Sequence, residues 1–325
     1  MPNKRVLSGM RPTGRLHLGH YFGALKNWVS IQEEYDCFYM VADWHALTTD
    51  YADTNELRNN SLDMVVDWLT VGIDPDKSVI FRQSDVPEHS ELFLILSMIT
   101  PLGWLFRCPT YKEQLKEIKS KDLNNFGFLG YPVLQAADIL LYKAQSVPVG
   151  EDQLAHLELT REIARRFNNF YGNVMFEPQA LLTKAARVPG LDKRKMSKSY
   201  GNSILIAETE DEVVKKVKTM FTDPLRIKAT DAGHPEGCVV FAFHEIFNKD
   251  SEKRKYECMQ GCIGCAACKK ELTSMICEFT KPMMQRRQEI ISDKAAVEKV
   301  LQNGSRKARE AAVQTMTEIR KAIKL

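Results

Sequence analysis

In the first quarter of the chain, short apolar runs alternate with segments of helical periodicity, and this alternation leaves few folds open. Residues 4–7 form an apolar run that breaks at Ser8-Gly9, after which Leu18, Phe22, Leu25, Trp28, Val29 and Ile31 recur at helical spacing. A second short run covers 37–42 and ends at Asp43; Leu62, Val65, Val66 and Leu69 then mark one face of a helix over 55–71. A third run, 78–81, follows the turn Asp74-Pro75. Strand, helix, strand, helix, strand is the order of a parallel sheet, so the fold class is α/β.

Beyond residue 205 the strand signals fade. Helical spacing predicts helices over 210–220, 251–257, 269–284, 293–302 and 305–324, the last capped by Ser305 and striped by Ala308, Ala312, Met316, Ile319 and Ile323. The reading is therefore an α/β catalytic domain, 1–205, followed by an all-helical domain, 206–325. No repeat or long linker separates them, so the two are expected to pack together.

Composition narrows the class further. With 325 residues, 17 Gly and 13 Pro, collagen-like and low-complexity chains are excluded, and 44% hydrophobic residues supply a large core. No apolar run reaches the roughly 18 residues of a membrane helix, and the first residues lack a signal-peptide core, which places the chain in the cytoplasm. Net charge is +3, too small to attract nucleic acid over the whole surface. Residues 206–325 carry 22 Lys and Arg against 18 Asp and Glu, which permits a polyanion partner there. Six of the eight cysteines fall between Cys238 and Cys277, and in a cytosolic protein such clustering favours metal over disulfides.

Two motifs carry nucleotide chemistry. Pro12-Thr13-Gly14-Arg15-Leu16-His17-Leu18-Gly19-His20 follows the first strand and opens the first helix. Glycine lets a nucleotide approach the backbone, the helix N-terminus favours phosphate, and the two histidines can donate to phosphate oxygens. Lys195-Met196-Ser197-Lys198-Ser199 lies in a polar stretch behind Pro189, Gly190 and Arg194, with Gly201 after it, and reads as a mobile loop. Its two lysines can both reach a polyphosphate whose charge must be neutralised as it leaves. Read without its partner, the histidine motif is equally compatible with a polar surface, and the lysine run alone reads more readily as a solvated basic loop.

Together the two motifs, in this order, resemble the signature pair of class I aminoacyl-tRNA synthetases. The stretch Tyr131-Pro132-Val133-Leu134-Gln135-Ala136-Ala137-Asp138-Ile139-Leu140-Leu141-Tyr142, with Val147-Pro148-Val149-Gly150-Glu151-Asp152-Gln153 and His156-Leu157-Glu158-Leu159-Thr160-Arg161, is similar to the bacterial tryptophanyl-tRNA synthetase family over nearly the whole chain. The resemblance implies a Rossmann-like catalytic domain and catalytic roles for His17, His20, Lys195 and Lys198. It implies ATP contacts from Arg11, Pro12, Thr13, Gly19, His20, Gly150, Glu151, Asp152, Val188, Lys195, Met196, Ser197, Lys198 and Ser199. Asp138, in an otherwise apolar stretch, is costly to bury unpaired, and in the family the matching carboxylate accepts the indole N–H of tryptophan. Tyr131 and Gln153 match positions near the substrate ammonium, and His45 is a candidate for the pocket wall or for a buried structural histidine. Some bacterial members carry Gln-Pro-Ser where this chain has Arg11-Pro12-Thr13, and Thr and Asn in place of His17 and His20; the two-histidine form is nearer the general class I pattern, and the resemblance does not fix the detailed ATP contacts of Arg11.

Four thiolates suit either Zn or a 4Fe-4S cluster. Cys238, Cys258, Cys265 and Cys268 resemble the cysteine set of the subgroup of this family that carries a 4Fe-4S cluster. The interval after Cys238 is shorter than usual, and Cys262 competes with Cys258 through the spacing Cys262-x2-Cys265-x2-Cys268. Cys37, Cys108 and Cys277 read as ordinary buried cysteines.

The implied reaction joins L-tryptophan to ATP, with Mg2+, to give the adenylate and pyrophosphate, then transfers the amino acid to the 2′-OH of tRNA(Trp). The helical half would read the anticodon, with Lys269 and Lys270 as candidate contacts, and the family is homodimeric. The chain between the motifs is too short for an editing domain. The rival readings are a tyrosyl-tRNA synthetase, whose relatives show Gly-Ser-Asp-Gln where this chain has Gly150-Glu151-Asp152-Gln153, a smaller nucleotidyltransferase of the same superfamily, and a non-catalytic iron-sulfur RNA-binding protein of synthetase fold.

Overall fold

The structure, a computed structural model, describes residues 4–117, 121–182 and 188–325. Its first strand, β1 (Arg5–Met10), runs through Ser8 and Gly9 rather than breaking there. Those residues pair in parallel with Tyr39 and Met40 of β2 (Asp36–Val41), and a Cβ on Gly9 would lie 2.9 Å from the Met40 carbonyl oxygen. The glycine thus serves close strand packing, a ladder constraint that local propensity does not show.

Between these strands lie α1 (Leu18–His20), a π-helical turn (Tyr21–Leu25) and α2 (Lys26–Ile31). Helices α3 (Asp43–Asp50) and α4 (Leu57–Val71) lead to β3 (Ser78–Arg82). Then come α5 (Glu88–Ile99), α6 (Leu102–Arg107), α7 (Pro109–Glu117), α8 (Phe126–Leu141) and β4 (Ser146–Val149). Helix α9 (Leu154–Tyr171) precedes β5 (Gln179–Leu182).

All pairings are parallel and the strand order is β3-β2-β1-β4-β5. This is the Rossmann-like order, with its reversal between β1 and β4, where ligands bind beyond the carboxyl ends of the strands. Helices cover both faces. On one side Trp28 stacks on Tyr39 at 4.5 Å and meets Trp68 edge-on at 5.4 Å; on the other Phe81, Leu92, Tyr142 and Phe167 form a second core.

The C-terminal part is helical, as its periodicity predicts: α10 (Glu210–Thr219), α11 (Val239–Phe247), α12 (Ser251–Met259), α13 (Cys265–Ser292) and α14 (Lys294–Ile323). Two details differ. The helices expected over 293–302 and 305–324 are one, because Ser305 is no cap: its hydroxyl donates to Asp85 Oδ2 at 2.9 Å and accepts the Arg82 N–H at 3.4 Å. Helix α11 has no counterpart among the expected helices; it is short and mostly apolar, with Val239, Val240, Phe241 and Phe243 buried. The helical part packs on the α/β part chiefly through its last two helices. Helix α13 packs on α4, and α14 lies along β3 with its Ala308, Ala312, Met316 and Ile319 in the second core. Among the described residues, no helix is long and apolar enough to cross a membrane.

Candidate active site

Beyond β1 the chain turns at Gly14, whose φ of +89° suits glycine; a Cβ there would meet Asn60 Oδ1 at 3.0 Å and Lys198 Nζ at 3.4 Å. The Lys198 ammonium donates to the Thr13 carbonyl oxygen, so two motifs 185 positions apart meet in space. Backbone bonds seal the junction: the Leu18 N–H donates to Ile204 O at 2.8 Å, and the Ile206 N–H to Leu16 O at 3.1 Å.

His17 is buried and its ring stacks on His20 with centroids 3.7 Å apart. Its backbone N–H donates to His20 Nδ1 at 3.2 Å, which leaves a neutral His20 with its proton on Nε2, as a donor. Burial, then the neighbouring Lys198, holds the His17 pKa down to about 4. Burial, then His17 and the two lysines, holds that of His20 to about 3. Both are neutral at pH 7. They offer N–H groups, and the positive charge comes from Lys195 and Lys198.

The lysine loop is closed by a bridge between Pro189 and Lys195 and ends in a 3-10 turn (Lys198–Tyr200). Val188 and Met196 are buried in the core, which anchors the loop while Lys195 stays exposed. Sequence reasoning missed the residue that shapes it, Asn202: its Oδ1 accepts the Ser197 N–H at 2.8 Å, and its Nδ2 donates to Asp192 Oδ1 at 2.7 Å and Lys195 O at 3.2 Å. Gly190 makes room, since a Cβ there would fall 2.1 Å from Asn202 Nδ2. The side chains of Ser199 and Asp152 lie outside the described residues.

A cavity of about 310 Å³ opens at the strand reversal, against Gly9 of β1 and Val147 of β4. Arg11, His45, Tyr131, Asp138 and Gln153 all line it, so the structure brings these five expected residues together. Asp138 sits on α8, which Asn125 caps by accepting the Phe128 N–H at 2.9 Å. It is 2% exposed, and three donors reach it: His45 Nε2 at 2.8 Å to Oδ2, and Gln83 Nε2 at 2.8 Å and His89 Nδ1 at 2.7 Å to Oδ1. Burial pushes its pKa up, but the hydrogen bonds from His45 and His89 outweigh burial and bring it to about 2. The carboxylate is therefore ionised and paired by the protein itself.

His89 and Gln83 are fully buried and were not expected from the sequence. His89 Nε2 meets the Tyr142 hydroxyl at 2.7 Å. Burial, reinforced by the Asp138 charge, keeps that phenol protonated, so it donates to His89, which donates in turn to Asp138. Across the cavity the Tyr131 hydroxyl pairs with His156 Nε2 at 3.0 Å, and His156 Nδ1 with Gln153 Oε1 at 3.0 Å. Arg11 faces Asp50 at 3.9 Å, while Gly150 and exposed Glu151 form the turn after β4.

A second cavity, in the helical part, is lined by Cys238, Cys258, Cys265 and Cys268 together with Arg226 and Arg254. Cys262 is exposed, its thiol 3.9 Å from Gln260 O. Among the described residues no group of three or more His, Cys, Asp or Glu converges as the ligands of a metal ion. The donor set nevertheless suits a thiolate-held anionic group: Arg226 Nε and Arg254 Nε are buried there without partners. Burial pushes the Cys268 thiol up to about 12 without a metal. Lys269, expected to face RNA, instead donates to Lys218 O at 2.7 Å and Met220 O at 2.8 Å beside the end of α10; Lys270 is exposed.

Fold and site together define a nucleotide-dependent ligase domain, and residues 2–281 match the tRNA synthetases class I (W and Y). The chain belongs to that family. It is 51% identical to the tryptophan–tRNA ligase of Thermotoga maritima, over 99% of each chain, and 46% identical to that of Aquifex aeolicus, over 99% of this chain and all of the relative. It is also similar to the crystal structure of tryptophanyl-tRNA synthetase from Campylobacter jejuni complexed with ADP and tryptophan, with a TM-score of 0.88 and 36% identity, over 99% of this chain and 100% of that one.

Proposed function

We propose that the site activates L-tryptophan with ATP and transfers it to tRNA(Trp). The observation that carries the reading is Asp138, a buried, ionised carboxylate in the wall of the cavity at the strand reversal. A hydrocarbon pocket alone discriminates weakly between aromatic side chains, whereas an oriented acceptor favours a ligand with an N–H. In the first step the tryptophan carboxylate oxygen attacks the α-phosphorus of ATP and the bond to the pyrophosphate oxygen breaks. No general base is needed, because the nucleophile is already ionised, so the enzyme supplies position and charge. Lys195 and Lys198 balance the charge on pyrophosphate and the neutral His17 and His20 donate to it. Mg2+ carried in on ATP adds positive charge to the phosphates. In the second step the terminal ribose 2′-oxygen attacks the adenylate carbonyl carbon, AMP leaves, and the hydroxyl proton passes to solvent. ATP–pyrophosphate exchange with each of the twenty amino acids tests the reading: exchange with tryptophan alone is expected, and exchange with tyrosine or with none overturns it.

Residues 1–205 form the adenylation part and 206–325 the anticodon-reading part of a cytoplasmic enzyme, with Lys270 in place of Lys269 as an RNA contact. Cys238, Cys258, Cys265 and Cys268 would hold a 4Fe-4S cluster in the cysteine cavity, a reading supported by the thiol set and by the buried Nε atoms of Arg226 and Arg254, which lack partners. Such a cluster supplies a cross-link between loops and helices. Iron and sulfide analysis of protein prepared without oxygen checks this, and Cys265→Ser and Cys268→Ser are expected to lose iron and tRNA charging together; zinc in place of iron overturns it.

A further inference from the structure

Asp67 lies in the middle of α4 among Val65, Val66 and Trp68 and is fully buried. A carboxylate in such a place destabilises the core unless it is paired, and an apolar side chain of similar size is commonly as stable or better. Its two partners belong to different parts of the molecule. Oδ2 accepts the backbone N–H of Leu16 at 2.6 Å, immediately before the His17 to His20 motif. Oδ1 accepts Arg287 Nε of α13 at 2.7 Å, and Arg287 Nη2 reaches Asp63, one turn earlier on α4, at 3.1 Å.

The Leu16 residue so held is no ordinary loop position. Its carbonyl oxygen accepts the Ile206 N–H at 3.1 Å, and the adjacent Arg15 donates to Ala207 O at 2.8 Å, so Asp67 anchors the strip where the two nucleotide motifs are joined. Helix α13 begins with Cys265 and Cys268 of the second cavity. At 1.5 Å per residue, Arg287 lies about 28 Å along it from Cys268. One helix thus starts at the cysteine cavity and ends at the carboxylate that holds the nucleotide loop.

We propose that Asp67 is a positioning residue for ATP, fixing the backbone before His17 and tying it through Arg287 to the helical part of the molecule. The proposal rests on the adenylation reading, and wild-type tryptophan-dependent exchange is its control: if wild type shows none, that reading fails and not the role of Asp67. Pyrophosphate exchange is measured for Asp67→Asn, Arg287→Ala, Arg287→Lys and the double variant Asp67→Asn/Arg287→Ala. The expected result is a KM for ATP raised about tenfold in Asp67→Asn and Arg287→Ala, with the KM for tryptophan within about twofold of wild type. The double variant is expected to match the single ones, and Arg287→Lys, which keeps the charge, to recover part of the loss. Unchanged KM for ATP with only a lower melting temperature, or single effects that multiply in the double variant, overturns the proposal. Should Arg287→Ala not fold, Asp67→Asn and Arg287→Lys still decide it by the same KM comparison.

Discussion

Asp138 shows how much a single residue discloses of its surroundings. An aspartate inside Ala136, Ala137, Ile139 and Leu140 must have partners, and that much is legible from the chain alone. Two of its donors come from positions 49 and 55 residues away, on other elements, and no local spacing marks them. Because its oxygens already have three donors, an indole N–H must share or displace His45, the donor that also faces the cavity. Asp138→Asn is therefore expected to turn an N–H toward donors and raise the KM for tryptophan by roughly 30- to 100-fold, with the KM for ATP little changed, in exchange assays. The two motif histidines make a second prediction. Folded, they protonate only near pH 4 and pH 3, whereas unfolded they do so near pH 6.5. Between those values the unfolded chain binds more protons, so stability falls as pH drops below about 6.5, by up to about 1.4 kcal/mol per pH unit for His17 alone. Urea midpoints at pH 7.5, 6.0 and 5.0 measure this, and His17→Gln should flatten the trend.

At the level of elements, α14 reverses an ordinary rule. Replacing glycine by alanine inside a helix usually stabilises it by about 1 kcal/mol. Gly304, however, lies against β3, where a Cβ would come 1.8 Å from the Ile80 carbonyl oxygen, so the helix must move off the sheet. Gly304→Ala is expected to cost about 2 kcal/mol or more, read from the urea transition; an increase in stability would show that α14 does not rest on β3. Within the lysine loop, Asn202 ties Ser197, Asp192 and Lys195 together. Asn202→Ala should leave the fold intact by circular dichroism and lower kcat for exchange about tenfold or more, since the lysines would lose their fixed aim. The periodicity of residues 293–324 identifies helix on both sides of Gly304-Ser305 but reads that pair as a break. Only contact with β3 explains why it is not one.

For the whole molecule, Leu94 and Met98 of α5 and Leu102 and Phe106 of α6 stand out among the exposed apolar side chains, each about half exposed or more. Large apolar side chains exposed in this way are open to contact with another surface, and the homodimer that the family resemblance implies is testable there. Met98→Asp with Phe106→Arg is expected to convert a dimer to a monomer in sedimentation velocity; a wild type that sediments as a monomer would remove the assignment. Local patterning by itself determined the alternating strands and helices, the helical C-terminal part and the need for a partner at Asp138, because periodicity, glycine turns and the cost of burying charge act over a few residues. Tertiary structure alone decided which distant groups meet: Lys198 with Thr13, His89 with Asp138, and Arg287 with Asp67. Those pairings depend on how the elements pack around one parallel sheet, and packing joins residues that the order of the chain keeps apart.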